Sequence, residues 1–337
     1  MALKILFWGT PSYAVPTLDA LHSAGHQIVG VVSQPDRRRG RGGQLIHSAV
    51  KEKSLTLGLP VFTPERIRRD HHCQQQLANL GADLSVVVAF GQILPAEVLA
   101  QPPLGCWNGH GSLLPRWRGA GPIQWSILEG DAQTGVGVMA MEEGLDTGPV
   151  LIERKLEIGL LENAHELACR LSLLTAELMV EAMPRIEKAG AGPEEERLRR
   201  LGVRSQTQEV TYARMLVKSD FQIDWSASAL AIHRKVMGLF PGAVTLWRGK
   251  RLKLLATEPL IERLRDELSH SAQQFLSRWP TGEHKPGTVL ECSDAGLVVS
   301  SSGCPLLIRE AQLEGKSRSS GRALIQQLQV KAGVTLG

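Results

Sequence analysis

The sequence predicts an α/β protein: a Rossmann-like domain with a mostly parallel sheet, followed by a small β-barrel domain of the oligonucleotide-binding type. In the first half of the chain, valine-rich apolar runs alternate with stretches of helical spacing, which is the pattern of a doubly wound sheet. In the last third, short apolar runs are separated by Gly and Pro, as in small antiparallel barrels. The length of 337 residues also favours two domains over one.

The elements of the predicted first domain follow from the spacing of apolar residues. Helical spacing is found from about Tyr13 to Ala24 and over Asn163–Ala189. One run, Leu84–Phe90, lacks polar alternation, as expected for a strand that is covered on both faces. The predicted strands are Lys4–Phe7, Gln27–Ser33, Leu84–Phe90, Val136–Met141 and Val150–Glu157.

We place the domain limits at 1–189 for the first domain, 190–208 for a linker and 209–337 for the second domain. The charged run Glu194–Arg200 is typical of a solvated linker. Ser226–Leu239 has helical spacing, and residues 261–285 read as a polar insertion between strands. The predicted strands of the second domain are Ala243–Trp247, Leu252–Ala256, Thr288–Cys292, Leu297–Ser300 and Pro305–Glu310.

Composition narrows the class of protein. No apolar run approaches the roughly 18–20 residues that span a bilayer, so no membrane association is expected. The N-terminal apolar stretch is too short for a signal peptide, and the five cysteines are scattered without Cys-x-x-Cys pairs. A reducing cytoplasm is the simpler expectation. Residues 1–208 have a net charge of −1 and residues 209–337 of +5, which favours a polyanionic partner for the second domain.

The most informative residues are Asn108, His110 and Asp146, which lie among glycines in segments that otherwise resemble turns. An amide, an imidazole and a carboxylate can together orient an acyl donor, hold a developing oxyanion and accept a proton from an attacking amine. Any lone histidine is more often a core residue, and a lone aspartate among turn formers is more often an Asx-turn. The joint occurrence of all three is what points to acyl transfer.

Three other hypotheses about functional residues are less well supported by the sequence. Ser112 lacks the Gly-x-Ser-x-Gly elbow of serine hydrolases. Cys106 has no preceding basic group that would lower its pKa, so a buried strand-end cysteine is favoured over a nucleophile. Gly9-Thr10-Pro11 carries one glycine where a dinucleotide fingerprint needs three, which disfavours a nicotinamide-dependent oxidoreductase. This turn remains either a plain strand-to-helix connection or a substrate contact.

An arginine-rich loop follows the second predicted strand. It contains Arg37, Arg38, Arg39 and Arg41 together with three glycines, a composition that cannot pack into a core. Because ligands gather at the carboxyl ends of parallel strands, contact with nucleic-acid phosphates is favoured over a merely solvated loop.

Several stretches resemble the signature of the folate-dependent formyltransferase family: Asn108-x-His110-Gly-Ser-Leu-Leu-Pro115, Arg116-x-Arg118-Gly119, Pro122-Ile-Gln124 and Gly144-Leu-Asp146-Thr-Gly148. Others resemble the branch that acts on methionyl-tRNA: Phe7-x-Gly9-Thr10-Pro11, Val88-Ala-Phe-Gly91 with Leu94-Pro95, and Gln312-x-x-Gly315-Lys316. The similarity covers nearly the whole chain apart from the linker and residues 261–285. One departure is Gly109, where the family more often has a branched apolar residue.

The resemblance implies 10-formyltetrahydrofolate as formyl donor and the α-amine of methionine on initiator tRNA as acceptor. It implies that Asn108 and His110 donate hydrogen bonds to the oxyanion, and that Asp146 favours the cationic form of His110 and helps to remove the amine proton. No metal is expected. A wall of the folate pocket is expected from Ser112, Leu113, Leu114 and Pro115.

Binding of tRNA is a separate expectation. Arg41 aligns best with the position in this family that touches the acceptor stem. In the second domain, the candidates for contact with the tRNA backbone are Lys250, Arg251, Lys253, Lys316 and Arg318, each of which could instead serve solubility alone. A monomer is the default expectation.

Two alternatives stay open at this stage. A formyltransferase that acts on a small amine, such as a sugar nucleotide or a glycinamide, would share the catalytic residues. The arginine loop and the barrel-like second domain argue against it, because a small substrate needs neither. A nucleic-acid-binding protein with an inactive Rossmann-like domain is disfavoured by the intact set of Asn108, His110 and Asp146.

Overall fold

The computed structural model describes residues 2–39, 43–280 and 282–337, and the chain forms two compact units. The units are not two simple halves, because two short segments from the first half of the chain belong to the second unit. The first unit contains the chain up to Pro122, Thr134–Glu157 and Ala168–Arg214; the second contains Ile123–Gln133, Ile158–Leu167 and Met215–Gly337. The sequence-based limits 1–189, 190–208 and 209–337 stay a prediction.

Up to Arg214 the chain forms short and medium strands separated by helices. The strands are β1 (Lys4–Gly9), β2 (Gln27–Val32), β3 (Arg37–Arg39), β4 (Gln44–Ile46), β5 (Val61–Phe62), β6 (Leu84–Val88), β7 (Cys106–His110), β8 (Arg118–Gly119), β9 (Gln133–Ala140), β10 (Val150–Glu157) and β11 (Tyr212–Ala213). The helices are α1 (Val15–Ser23), α2 (Ala49–Thr56), α3 (His71–Asn79), α4 (Ala96–Leu99), α5 (Pro122–Glu129), α6 (Ala164–Ala189) and α7 (Glu194–Leu201), with 3₁₀ turns at Ser12–Ala14 and Ile67–Arg69.

Seven of these strands form one sheet in the order β10-β9-β7-β6-β1-β2-β5. Neighbours from β5 to β7 are parallel, and β9 is antiparallel to β7. The predicted α/β fold with a mostly parallel sheet is therefore confirmed. Because β1, β6 and β7 run in the same direction, Gly9, Val88 and His110 lie toward the same edge of the sheet, where parallel sheets bind ligands.

Several predicted boundaries differ from the structure by a few residues, and one predicted linker is a helix. The strand predicted over Leu84–Phe90 ends at Val88, because Ala89 has a left-handed φ of 48°. The charged run predicted as a solvated linker is the helix α7, and it is wrong to call it solvated throughout. Arg197 is buried, and its guanidinium donates a hydrogen bond to the carbonyl of Leu104.

The chain beyond Met215 is dominated by antiparallel strands. They are β12 (Val244–Trp247), β13 (Lys250–Pro259), β14 (Val289–Ser293), β15 (Gly296–Val299), β16 (Leu306–Leu313) and β17 (Ser319–Ser320), paired in the order β12-β13-β16-β15-β14 with β17 on β16. The helices are α8 (Ala229–Gly238), α9 (His270–Gln273) and α10 (Gly321–Leu328), with 3₁₀ turns at Lys218–Phe221 and Glu262–Glu267. The antiparallel character of the predicted second domain is confirmed, and its closure into a barrel of the oligonucleotide-binding type stays a prediction.

The sequence predicts that residues 261–285 are a polar insertion. The structure differs, because part of this segment is apolar and buried. Leu268, Phe275 and Leu276 are buried in a cluster with Val298 and Leu307 of the antiparallel sheet. The segment contains a 3₁₀ turn and one short helix, which are too short for a periodic apolar pattern. The sequence therefore does not reveal that these side chains are buried. Within the described ranges, no helix has the length and apolar character that crossing a membrane requires.

Candidate active site

The structure brings together the three residues of the predicted catalytic set. Asn108 and His110 lie on β7, and Asp146 lies in the loop between β9 and β10. The Asn108 Nδ2 atom donates to Asp146 Oδ1 at 3.3 Å, and His110 Nδ1 lies 3.7 Å from Asp146 Oδ2. Because side chains alternate along a strand, Asn108 and His110 share one face of the sheet, and Gly109 faces the other way. The amide and the imidazole therefore converge on one carboxylate.

The two nitrogens of His110 have different partners. Nε2 lies 2.9 Å from the carbonyl oxygen of Trp117, which can only accept a hydrogen bond. Nε2 therefore carries a hydrogen in every form of the ring. Nδ1 faces the Asp146 carboxylate at 3.7 Å. The ring itself is buried, with 6% of its surface exposed.

The position of Asp146 is fixed by its backbone and by two donors. The residue has a left-handed φ of 53°, which is uncommon for a residue other than glycine. Its Oδ2 accepts a hydrogen bond from the backbone N–H of Gly119 at 2.8 Å, and its Oδ1 accepts the Asn108 bond. A carboxylate that receives two N–H donors is held in one orientation, and lone pairs remain for a further partner.

Close packing against α6 explains the glycine between the two catalytic positions. A Cβ atom on Gly109 would lie 2.5 Å from Cγ2 of Thr175. The Thr175 hydroxyl is itself bonded to Tyr13 Oη at 2.9 Å and to the carbonyl of Leu171 at 2.7 Å. The side chain that faces β7 is therefore fixed, and a larger residue than glycine has no space. The departure from the family pattern is thus a packing feature of this chain.

The four residues predicted to line the folate pocket form a compact turn after β7. The Ser112 hydroxyl donates to the carbonyl of Arg116 at 2.6 Å, and the Leu114 side chain packs in a core cluster with Met139 and Val150. Pro115 is buried and follows a cis peptide bond, whereas Leu113 is half-buried. Ser112 and Leu114 therefore shape this turn from within, and the Leu113 side chain is the one that retains partial exposure.

Cys106 is not a nucleophile. Burial raises the pKa of its thiol to about 12, so the thiol is protonated at neutral pH. Its Sγ lies 3.6 Å from the carbonyl of Leu99. The interpretation of Cys106 as a buried strand residue is consistent with this position.

Sequence reasoning missed a segment of the first unit that lies against the catalytic loops. Residues 204–213 include part of the predicted linker, yet they form backbone and side-chain hydrogen bonds to the turn after β7 and to the loop that holds Asp146. Among them, β11 pairs in parallel with β8. The contacts join residues about 60 to 90 positions apart, so no local pattern in the sequence could have revealed them.

The arginine loop forms a β-hairpin in its described part. β3 pairs with β4 in antiparallel register, and the side chains of Arg37 and Arg38 are exposed. Arg38 Nη1 donates to the carbonyl of Gly43 at 3.4 Å. The backbone of Arg39 belongs to β3, and Arg41 lies outside the described residues.

The five basic candidates of the second unit are all exposed, but two of them are paired. Arg251 Nη2 lies 2.9 Å from Glu314 Oε1, and Arg318 Nη2 lies 2.7 Å from Glu310 Oε2. Lys250, Lys253 and Lys316 are exposed, and no carboxylate in the described part of the chain forms an ion pair with them. A cavity of about 270 Å³ opens beside β12, β13 and β16. It is lined by Gly242, Val244, Arg251, Lys253, Gln312, Leu313, Glu314 and Gly315.

Within the described residues, no group of three or more His, Cys, Asp or Glu side chains is arranged to hold a metal ion. The candidate site therefore consists of an amide and an imidazole on β7 and a carboxylate in the loop between β9 and β10. Such a site can hold an oxyanion and move a proton.

Two family models match the chain. The formyl transferase model matches residues 3–183, and the model of the formyl transferase C-terminal domain matches residues 215–329. A curated relative from Parasynechococcus marenigrum, named methionyl-tRNA formyltransferase, is 73% identical over 336 residues, which is 99% of each chain.

Solved structures share the fold at low identity. HypX from Aquifex aeolicus in complex with tetrahydrofolic acid matches with a TM-score of 0.62 and 15% identity; 98% of this chain is covered, but only 48% of HypX. The N-formyltransferase from Helicobacter canadensis, in complex with folinic acid and dTDP-3-aminofucose, matches with a TM-score of 0.62 and 14% identity over 91% of this chain and 98% of that one. By its two family models and its full-length similarity to the curated relative, the chain belongs to the formyltransferase family and, within it, to the methionyl-tRNA formyltransferases.

Proposed function

We propose that the chain transfers the formyl group of 10-formyltetrahydrofolate to the α-amine of methionine on initiator methionyl-tRNA. The observation that carries the proposal is the convergence of Asn108, His110 and Asp146 at the sheet edge, in a chain 73% identical to a methionyl-tRNA formyltransferase over its length. The choice of a folate donor is supported by two fold neighbours, whose structures contain tetrahydrofolic acid and folinic acid.

In the proposed reaction, the neutral amine attacks the formyl carbon and the carbonyl oxygen becomes negative. Asn108 Nδ2 carries two hydrogens, of which one is directed at Asp146, so the other can reach the oxyanion. The second donor is the Nδ1–H of cationic His110, since Nε2 is bonded to the Trp117 carbonyl. Each such donor contributes about 2.7–4 kcal/mol to transition-state stabilisation. The amine is itself an adequate nucleophile, so neither a covalent enzyme intermediate nor a metal is needed.

Asp146 has two proposed roles. One is to face His110 Nδ1 at 3.7 Å and so to orient the imidazole. Attack by the amine also produces an ammonium group, whose proton must leave before the amide product forms. Asp146 accepts this proton directly or through one water, because its carboxylate keeps free lone pairs beside the Gly119 and Asn108 donors. When the tetrahedral intermediate collapses, the bond between the formyl carbon and N10 of the folate breaks. N10 takes up the proton that Asp146 holds, and tetrahydrofolate leaves. The turn formed by Ser112, Leu113, Leu114 and Pro115 would border the folate.

We assign tRNA binding to two basic surfaces, each considered on its own unit. On the first unit it is the β3–β4 hairpin with Arg37, Arg38 and Arg39; Arg41, which lies outside the described residues, is included from the sequence alone. On the second unit it is the exposed edge with Lys250, Lys253 and Lys316, where no described carboxylate pairs with the ammonium groups. Arg251 and Arg318 are weaker candidates, because each already pairs with a glutamate. Unpaired cations suit phosphate contacts that position tRNA without reading its sequence.

Because this reaction serves translation initiation, we place the enzyme in the cytoplasm. The three catalytic side chains come from a single chain, so we propose that a monomer is active.

Transfer of labelled formyl from 10-formyltetrahydrofolate tests the proposal. The acceptors are methionyl initiator tRNA, methionyl elongator tRNA and a free amino sugar nucleotide. We expect rapid formylation of the initiator and little of the other two. The fold neighbour with bound dTDP-3-aminofucose makes the sugar the relevant alternative acceptor. Formylation of the sugar with both tRNAs untouched would keep the catalytic assignment and overturn the acceptor.

A further inference from the structure

We infer that Gln206 is a positioning residue for the catalytic carboxylate, an inference that rests on the proposed function of Asp146. Its side-chain Nε2 donates to the carbonyl of Asp146 at 2.9 Å and to the carbonyl of Gly148 at 2.6 Å. One amide group thus uses both of its hydrogens on two carbonyls of the same short loop. Gln206 does not contact the predicted reacting atoms, so its action would pass through the backbone of Asp146.

A buried arginine sets the orientation of this amide. Arg118 Nε donates to Gln206 Oε1 at 2.9 Å, and Arg118 is 7% exposed. A buried guanidinium requires hydrogen-bond acceptors, and here the acceptor is the amide oxygen. With the oxygen directed at Arg118, the NH₂ group must point toward the loop. The residue after Arg118 is Gly119, whose N–H holds Asp146 Oδ2, so the same short strand supports the loop twice.

The loop requires such support because its backbone is strained and its surroundings are open. Asp146 has a φ of 53°, a conformation that persists in residues other than glycine only where neighbouring groups enforce it. Residues 142–145 before it are exposed, so they provide little packing. The two hydrogen bonds from Gln206 span the strained residue, from the Asp146 carbonyl to the Gly148 carbonyl.

The segment around Gln206 also supports the other partner of the imidazole. Arg204 and Val150 exchange two backbone hydrogen bonds, of 2.8 and 2.9 Å. The Thr211 hydroxyl accepts the backbone N–H of Trp117 at 2.9 Å, and the Trp117 carbonyl accepts His110 Nε2. Thr211 and Gln206 therefore hold the backbone on both sides of His110: Thr211 holds Trp117, the partner of Nε2, and Gln206 holds Asp146, which faces Nδ1.

Two substitutions separate the donor function of Gln206 from its pairing with Arg118. Gln206→Glu keeps an acceptor for the guanidinium but has no hydrogen to donate to the loop carbonyls. Gln206→Met removes both functions at similar size. Gln208→Ala, at an exposed glutamine two positions further on, is the matched control. We expect both Gln206 variants to lose about 10- to 100-fold in kcat, with KM for the folate and for tRNA within a few-fold of wild type.

The experiment is steady-state formylation of methionyl initiator tRNA by wild type, the two Gln206 variants and Gln208→Ala, with thermal midpoints measured in parallel. A lower kcat in both Gln206 variants, with Gln208→Ala unchanged, supports the inference. Wild-type kcat in Gln206→Glu overturns it, because then only the pairing with Arg118 matters. Inactive wild type would instead refute the proposed function. Should Gln206→Met unfold, the near-isosteric Gln206→Glu still decides the outcome.

A double-mutant cycle shows whether Gln206 acts through Asp146. Combined with Asp146→Asn, the Gln206→Met change should lower the residual rate by less than about threefold, because the carboxylate it positions is no longer present. A loss as large as in the wild-type background would mean that Gln206 acts elsewhere, and would overturn the inference while leaving the role of Asp146 intact.

Discussion

Each unit of this protein contains a buried histidine whose Nε2 is bonded to a backbone carbonyl, and the two residues differ in what faces Nδ1. In the first unit, His110 Nδ1 lies 3.7 Å from the Asp146 carboxylate. In the second, His233 Nδ1 lies 3.0 Å from the Thr257 hydroxyl, and its Nε2 lies 2.8 Å from the Leu160 carbonyl. The imidazole of the first unit therefore faces a carboxylate, whereas that of the second faces a neutral hydroxyl.

The difference shows that burial alone does not define a catalytic histidine. Burial lowers the pKa of His233, so the ring stays neutral, and both of its nitrogens are occupied within the fold. Glu258, the residue after Thr257, is fully buried and bonded to Ser269 and Arg309. Its charge raises the pKa of His233, but burial lowers that pKa by more. His233 therefore holds its helix to neighbouring segments, while His110 stands opposite a carboxylate on a strand edge.

The largest expected effect is a loss of kcat when His110, but not His233, is substituted. We expect His110→Gln to lower kcat by a factor of about 10²–10³, because it removes the cationic donor to the oxyanion. Asn108→Ala should have an effect of similar size. The measurement is the rate of labelled formyl transfer at saturating substrates, with circular dichroism to confirm folding.

The matched control is His233→Gln. We expect it to destabilise the protein by about 1–3 kcal/mol, through imperfectly satisfied polar groups at Thr257 and Leu160, while the kcat of the folded fraction stays at the wild-type level. A His110→Gln variant with normal kcat would remove the distinction between the two histidines.

A smaller effect is expected from the packing behind β7. Gly109→Ala should destabilise the protein by about 1–3 kcal/mol, because the new Cβ would lie 2.5 Å from Thr175 Cγ2. Adding Thr175→Ser removes that methyl group and keeps the hydroxyl that is bonded to Tyr13. The double variant should therefore recover most of the free energy of unfolding in urea denaturation. A Gly109→Ala defect that Thr175→Ser leaves unchanged would mean that a contact other than the Thr175 methyl group is responsible.

The smallest effect concerns pH and His233. Its lowered pKa means that the unfolded chain takes up a proton below about pH 6.5 while the folded chain resists it. Folding stability is therefore lost as pH falls from 7.5 to 5.5, by at most about 1.4 kcal/mol per pH unit from this one group. His233→Gln should show a shallower dependence in denaturation curves at the two pH values. Parallel curves for variant and wild type would mean that His233 titrates alike in both states.

Much of the site could be predicted because its chemistry is concentrated in short motifs. Asn108 and His110 are neighbours on one strand face, and Asp146 follows in a glycine-flanked loop, so residue types and spacing were sufficient. The parallel pairing of β1 with β6 agrees with the prediction from their apolar runs. The strand β7 was not predicted, because the residues around Asn108 and His110 resemble turns in the sequence. The fold class and the family were predicted from the same residues that the structure places together.

The parts that were missed depend on contacts between distant positions. Gln206 contacts Asp146 from 60 positions away, and Arg197 contacts Leu104 from 93. The stretches that contain Gln206 and Arg197 are rich in charged and polar residues, so their composition resembles that of a solvated linker. Composition does not show that distant backbone carbonyls accept hydrogen bonds from these side chains. The same holds for Gly109. A glycine is required there because the Thr175 methyl group on α6 leaves no space for a side chain, and the sequence of β7 alone does not reveal this contact.

The most direct test of the division between a catalytic strand and a binding surface is single-turnover formylation measured against tRNA concentration. It compares His110→Gln with a triple variant in which Lys250, Lys253 and Lys316 are changed to Ala. We expect His110→Gln to lower the rate at saturating tRNA with little change in the half-saturating concentration. The lysine variant should raise that concentration roughly tenfold and reach the wild-type rate. The reverse pattern, with the maximal rate lost in the lysine variant and retained in His110→Gln, would contradict the catalytic assignment.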